Sequence, residues 1–219
     1  MSLAVESVPA EAAHAATAWT APARRVDGLE ALCAIYEPQL ALVAAPLAVS
    51  GAHRAALAEA TRDVPCFEFV RESDPAGSPL EYALPWFEGH PGGAAWLEVA
   101  RPVVELFADL FEAHRVGVRL CLADRPMCPR FHVDDVVCRL VVTLAGPGSE
   151  FLDDRDAHRA ALGVHQSAVE RPGATIHRLE PLDVGLFKGE AWPGMAGRAV
   201  VHRSPPGATR RLVMTVDLL

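Results

Sequence analysis

The sequence predicts an α+β fold in which N-terminal helices support a C-terminal β-barrel. Three observations predict it. Trp96, Val99, Val103, Phe107 and Leu110 recur at helical spacing within Ala94–His114, a stripe that would lay one face of a helix on a sheet. From Val116 onward the chain breaks into short β-like runs separated by Pro, Gly and Asp, the pattern of a closed or sandwiched antiparallel sheet. Apolar residues make up 51% of the 219, enough for a sizeable core.

In chain order, residues 1–25 are rich in Ala, Pro and Thr and are expected to form a flexible arm. Residues 26–115 form a mixed part packed on the barrel. Val26–Tyr36 reads as a short helix and Gln39–Ala44 as a strand. Ala52–Arg62 reads as a helix, because Ala and Leu dominate and its charges fall on one side. Cys66–Val70 is a further strand. Glu72–Gly93 is dense in Pro and Gly and reads as loop. Pro102 conflicts with the helix over Ala94–His114, which kinks there or begins near it. Residues 116–219 supply the barrel, with strands expected at Val116–Leu122, Phe131–Val133, Cys138–Leu144, Ala174–Leu179, Asp183–Phe187, Ala199–His202 and Arg211–Leu218. Asp153–Leu162 is expected as a short helical insertion.

The net charge of −8 argues against a nucleic-acid-binding surface, which needs a basic face. Glu6 and Glu11 interrupt the Ala-rich N-terminus, so no secretory leader is expected. No apolar run reaches the length of a membrane span. Five cysteines without CxxC spacing suit reduced thiols in a cytoplasm. Lys188 is the only lysine among 20 basic residues, which fits a base-composition bias. The oligomeric state is not legible.

The segment Phe131-His132-Val133-Asp134 carries the chemistry. Residues two apart in a strand face the same way, so His132 and Asp134 can address one ion. His202, at the end of an apolar strand before Pro205-Pro206-Gly207, offers a third ligand. Two histidines and a carboxylate leave open positions on a metal, as in non-haem ferrous oxygenases. Alone, an HxD is a weak signal, since a chain with nine histidines readily contains one by accident. Arg211 follows His202 by nine residues, and alternation puts Arg211, Val213 and Thr215 on one face with Leu212, Met214 and Val216 on the other. An inward arginine needs an anion: a ligand carboxylate, or an internal Asp or Glu. Parity allows only one of Arg210 and Arg211 to point inward.

Other residues compete for roles. Cys128 stands four residues before His132, and with Cys121 and Cys138 it offers a zinc site. Arg130 and Arg139 flank the HxD and suit an acidic substrate group or a solvated rim. Trp192 and Glu190 lie in a Gly/Pro-rich loop and line a pocket or the surface. His158 and His165 are expected to be exposed; His177 faces inward with no evident partner. No GxSxG elbow is present, and Pro91-Gly92-Gly93-Ala94 lacks the lysine of a phosphate loop.

Together, His132, Asp134, His202 and Arg211 resemble the HxD…H…R pattern of the Fe(II)- and 2-oxoglutarate-dependent dioxygenase superfamily. Its fold is the double-stranded β-helix, a cupin-like jelly roll. Asp183–Phe187 is similar to the turn and strand before the distal histidine, and His202…Arg211-Leu-Val-Met-Thr-Val is similar to the prolyl-hydroxylase-like version. The resemblance covers residues 116–219. It implies Fe(II) on His132, Asp134 and His202, 2-oxoglutarate with its distal carboxylate on Arg211, and hydroxylation of a small molecule, amino acid or peptide. Arg130, Arg139 and Trp192 would then be candidate substrate contacts. The pattern departs at Val213, where many members have Ser. The tyrosines Tyr36 and Tyr82 lie far upstream, so Thr143 or Thr215 would supply the cosubstrate hydroxyl. The block Met127–Asp134 with the later Val-His-Arg-Ser-Pro also resembles an uncharacterised bacterial family of unknown function. The alternative is a non-catalytic zinc-binding or metal-handling barrel using Cys128 with His132.

Overall fold

A computed structural model describes residues 22–74, 76, 77, 79–207 and 210–219, so most of the expected N-terminal arm lies outside the described residues. The strands are β1 (Ala23–Arg25), β2 (Leu42–Pro46), β3 (Phe67–Ser73), β4 (Val116–Ala123), β5 (Cys138–Ala145), β6 (Glu150–Leu152), β7 (Ile176–Arg178), β8 (Asp183–Lys188), β9 (Val201–Arg203) and β10 (Arg211–Leu218). Seven of them form a major sheet in the order β1-β2-β8-β5-β10-β4-β3, and three form a minor sheet in the order β7-β6-β9. Every pairing is antiparallel except that of β1 with β2. The major sheet therefore draws β2 and β3 from residues 26–115, and the end of the expected arm, Ala23–Arg25, is one of its two edge strands, β3 being the other.

Strand alternation sorts side chains to the two sides of the major sheet. On one side Leu140, Val142 and Leu144 of β5 and Leu212, Met214 and Val216 of β10 join a cluster with α1 (Gly51–Asp63) and α2 (Gly92–Leu110). On the other side Val141 and Val213 pack with Phe151, Leu179 and Val200, between the two sheets. The layers are thus helices, major sheet, inter-sheet space and minor sheet.

α2 runs unbroken through Pro102, which the sequence alone marks as a kink or start. The ring removes one helical hydrogen bond at a cost of roughly 3 kcal/mol. Against that, Trp96, Val99, Val103, Val104 and Phe107 are all buried, and each such side chain contributes roughly 1.5–3 kcal/mol. Burial wins. α1 begins where Ser50 Oγ accepts from His53 N at 3.1 Å, a cap that satisfies an otherwise orphaned N–H.

The expected loop Glu72–Gly93 contains a 3₁₀ helix over Leu80–Phe87, whose Leu80, Ala83 and Phe87 are buried. Trp96 Nε1 donates to Leu80 O at 3.3 Å and anchors it on α2. The expected helix over Val26–Tyr36 is a 3₁₀ helix, Leu29–Tyr36. The expected insertion Asp153–Leu162 keeps only a 3₁₀ turn, Arg159–Ala161. The expected strand Phe131–Val133 is a single bridge between His132 and His202. Among the described residues no helix is long and apolar enough to cross a membrane, and all five cysteines are free.

Candidate metal centre

His202 lies in the middle of β9, whose partner across the minor sheet, Phe151 of β6, is fully buried beside it. His132 is fastened to it by two reciprocal backbone hydrogen bonds, His132 N to His202 O at 3.0 Å and the reverse at 2.9 Å. The two imidazoles stand 4.4 Å apart between ring centroids. Asp134 faces both: its Oδ1 lies 3.7 Å from His132 Nε2 and its Oδ2 lies 3.4 Å from His202 Nε2. The convergence expected from strand alternation is present, but no strand produces it. Asp134 sits in a loop held by Glu190 N, which donates to Asp134 O at 2.9 Å, and by Gly189 N, which donates to Val137 O at 3.0 Å. A side chain at Gly189 would collide with the Val136 carbonyl, so glycine permits this close backbone approach.

The polar environment suits a divalent ion. His132 Nδ1 lies 3.0 Å from Arg130 O, and His202 Nδ1 lies 3.1 Å from Val200 O. Such bonds fix the tautomer with the proton on Nδ1, leaving each Nε2 lone pair facing Asp134. Burial pulls the His202 imidazolium down to about 4, against the opposing pull of Asp134. His202 is therefore neutral at pH 7, as a ligand must be, and its contact with Asp134 is not an ion pair. Asp134 Oδ2 is buried and makes no well-formed hydrogen bond, although the Arg139 guanidinium lies 3.0 Å away. Two imidazole nitrogens converge on a carboxylate whose buried Oδ2 makes no well-formed hydrogen bond, and a cation between the three groups would satisfy that oxygen and both nitrogens.

Arg211 lies at the start of β10 and is buried. Its Nε donates to Pro147 O at 2.7 Å, and its Nη2 donates to Thr143 Oγ1 at 3.1 Å and Ser149 Oγ at 3.2 Å. Among the described residues no carboxylate pairs with it. Burial pulls its guanidinium down to about 10, so it is still a cation at pH 7. Arg211, Ser149, Val213 and Thr215 line the same cleft as His132 and His202. Arg210 points the other way, donating to the carbonyls of Arg62 and Val64, as parity requires.

Several expectations need correction. Arg139 lines the cleft, but its guanidinium is committed to two internal carboxylates, so a substrate acid would have to displace one. It meets Asp134 and also grips Asp217 of β10 at 2.6 and 3.0 Å. Arg130 leaves the cleft because no strand carries it inward; its Nη2 donates to Val164 O at 2.5 Å. Trp192 belongs to an aromatic cluster with Tyr36 and Phe111, under the Lys188 ammonium at 4.6 Å. Glu190 staples its own loop by accepting from Gly197 N at 2.6 Å. Cys128 borders the cleft, but among the described residues no cysteine belongs to a cluster of three metal-ligating groups. Cys138 faces the apolar core, and burial pushes its thiol far up. The supposed Cys121, Cys128, His132, Cys138 zinc set is not brought together. His158 and His165 are exposed, as expected.

Ser149 and Asp217 were not singled out from sequence. Asp217 carried a signal, since it shares the inward parity of Arg211 and Thr215 and stands opposite Arg139. Ser149 carried none.

This fold, two mainly antiparallel sheets with a cleft between them that His132, His202 and Arg211 line, is similar to that of solved oxygenases. The dioxygenase for auxin oxidation 1 from Arabidopsis thaliana, solved with 2-oxoglutarate, superposes with a TM-score of 0.51 at 13% identity, over 91% of this chain and 92% of that one. The rice dioxygenase for auxin oxidation gives 0.46 at 16% identity, over 90% and 82%. An oxidoreductase of the 2OG-Fe(II) oxygenase family from Burkholderia pseudomallei gives 0.41 at 12% identity, over 87% and 89%. At the level of sequence the chain belongs to DUF1826, a family described as protein of unknown function, whose model matches residues 23–217. No curated protein matches it.

Proposed function

We propose that the protein is a non-haem Fe(II)- and 2-oxoglutarate-dependent oxygenase that hydroxylates a small molecule, an amino acid or a peptide. The observation that carries this reading is Arg211, a buried guanidinium with no carboxylate partner among the described residues, in the cleft that His132 and His202 also line. A buried charge without a counter-charge is costly, and a dicarboxylate ligand would supply one bidentately. The five free cysteines fit a reducing compartment, and we assign the protein to the cytoplasm on that ground.

His132, Asp134 and His202 would hold the iron on one face. Bound ferrous iron, with 2-oxoglutarate and dioxygen, supplies the oxidising power for attack on a C–H bond. The protein's own residues do the positioning. Arg211 anchors the distal carboxylate of the cosubstrate, while Thr143 and Ser149 fix the guanidinium plane by accepting from Nη2. Thr215, on the same face of β10, borders the cosubstrate path. Arg139 holds Asp134 by its Oδ2 and leaves Oδ1 toward His132. Val213 and Val141 give the cleft an apolar floor that limits water.

Anaerobic titration with Fe(II) and then 2-oxoglutarate tests this. The wild type should take one Fe(II) at this centre and develop an iron–oxoglutarate charge-transfer band. Arg211→Ala should keep the iron but raise the 2-oxoglutarate Kd by about 30-fold or more, the loss of a charge-assisted pair of roughly 2 kcal/mol or more. His132→Ala should lose both. Unchanged 2-oxoglutarate affinity in Arg211→Ala would sink the proposal.

A further inference from the structure

We propose a second divalent-cation site, formed by Asp153, Asp156 and His177 at the edge of the minor sheet. One ligand atom from each of these residues lies within 4.8 Å of the other two. Asp153 follows β6 directly, and Asp156 N donates to Asp153 O at 2.9 Å, folding two carboxylates of one turn toward each other. His177 is the central residue of β7, directly opposite Phe151 of β6. Its ring stacks on Phe151 at 5.2 Å and 21°, which fixes the imidazole plane.

Two polar atoms of this cluster, His177 Nε2 and Asp156 Oδ2, are buried and under-used. The His177 side chain is 5% exposed, and its Nε2 lies 3.3 Å from Asp153 Oδ2, yet it makes no hydrogen bond. Asp156 Oδ2 is also buried without one. Buried ring nitrogens and carboxylate oxygens are normally hydrogen-bonded, and a cation among them would satisfy both at once. Arg155 approaches Asp153 at 3.4 Å and Asp156 at 3.8 Å, but its side chain is 69% exposed and its contacts are long. It is free to swing out when an ion enters. Two carboxylate oxygens and one imidazole nitrogen suit a first-row divalent cation such as Mn2+ or Zn2+ rather than a soft monovalent one such as Cu+.

This site is separate from the first centre. His202, Phe151 and His177 face one another in register across β9, β6 and β7, so the two histidines stand about two strand spacings, ~10 Å, apart. Phe151 fills the space between. A cation at Asp153, Asp156 and His177 would tie edge strand β7 to the turn after β6, the strand that backs His202. The competing arrangement is a direct His177–Asp153 contact with no metal.

Mn2+ binding to the full chain, counted by the loss of the free-ion EPR signal, separates the two. The wild type should bind two Mn2+. His132→Ala should keep one, and adding Asp156→Asn to it should abolish that one. Asp156→Asn is near-isosteric at a partly exposed side chain, so it tests the site without emptying the core. In the His132→Ala background Mn2+ should also raise the melting temperature, and this shift should vanish with Asp156→Asn. A His132→Ala protein that binds no Mn2+, or whose bound ion survives Asp156→Asn, would overturn the second site. A His132→Ala protein that still binds two ions refutes the first centre's ligand assignment instead; loss of one of them with Asp156→Asn upholds the second site.

Discussion

The two faces of β10 show how this molecule divides stability from chemistry. Toward the helices the strand presents Leu212, Met214 and Val216, each with no exposed surface. Toward the minor sheet it presents Arg211, Val213, Thr215 and Asp217, three of them polar, and Arg139 of β5 reaches across to the last. One face is interchangeable with any close-packed core of similar volume. The other is a set of placed charges, and a change there should alter ligand binding before it alters the fold.

The largest effect expected is on the helix side. Trp96 has no exposed surface and also donates to Leu80 O. Trp96→Ala should cost about 3–5 kcal/mol of stability, read as a lower urea midpoint. The surviving folded protein should bind metal at the first centre as the wild type does. Loss of metal affinity in proportion to stability would break the division between the two faces.

That division also explains what the sequence made legible. β10 was readable to the residue because Arg211, Thr215 and Asp217 fall on one parity against Leu212, Met214, Val216 and Leu218 on the other, and that parity separated Arg211 from Arg210. The helix of Trp96 and Phe107 was readable because its stripe is long. β6 was not: three residues are too few to show a period, though all three are buried. The 3₁₀ helix within Glu72–Gly93 was hidden because its Pro-rich composition reads as loop. At the centre, the meeting of the three candidate ligands His132, Asp134 and His202 was legible from their spacing and the arginine behind them. Their support was not, since the Asp134 loop is held by backbone donors, Glu190 N to Asp134 O and Gly189 N to Val137 O, and backbone hydrogen bonds leave no mark on residue type. The carboxylates beside His177 were missed for a related reason. Asp153 and Asp156 lie in a turn, where acidic residues are ordinary, and only the pairing of β6 with β7 brings the histidine to them.

A smaller effect sharpens the polar side. Arg139 stays protonated despite burial, which alone would lower it, because Asp217 and Asp134 both face it. It borders the cleft, but Nη1 faces Asp134 while Nε and Nη2 are given to Asp217, so it orients Asp134 and offers the cleft no uncommitted nitrogen. Replacing such a partner of a metal ligand typically costs 10–100-fold in metal affinity. Arg139→Gln should therefore weaken Fe(II) or Mn2+ binding at the first centre by about that factor, while 2-oxoglutarate binding to the fully metallated protein changes little. An equal loss of both would mean that Arg139 contacts the cosubstrate rather than the carboxylate.

The smallest effect concerns acid sensitivity, where two groups must be separated. His202, held down to about 4 by burial, binds its proton less readily folded than unfolded. Its contribution to metal-free stability is present above about pH 6.5 and is lost as pH falls toward 4. Glu150 acts lower. Burial would raise its carboxyl, but hydrogen bonds from Arg178 at 2.5 Å and Arg203 at 2.8 Å outweigh burial and hold it below the usual carboxylate range. Its contribution is present above the unfolded value, about 4.5, and is lost as pH falls through the depressed folded value. Glu150→Gln should be less stable than wild type at pH 7, and the two melting curves should fall in parallel between pH 6.5 and 5, where His202 acts in both. Below about pH 4.5 they should converge, because acid then removes from the wild type what the substitution has already removed. Curves that stay parallel to pH 3 would show that the Arg178–Glu150–Arg203 bridge does not stabilise the minor sheet.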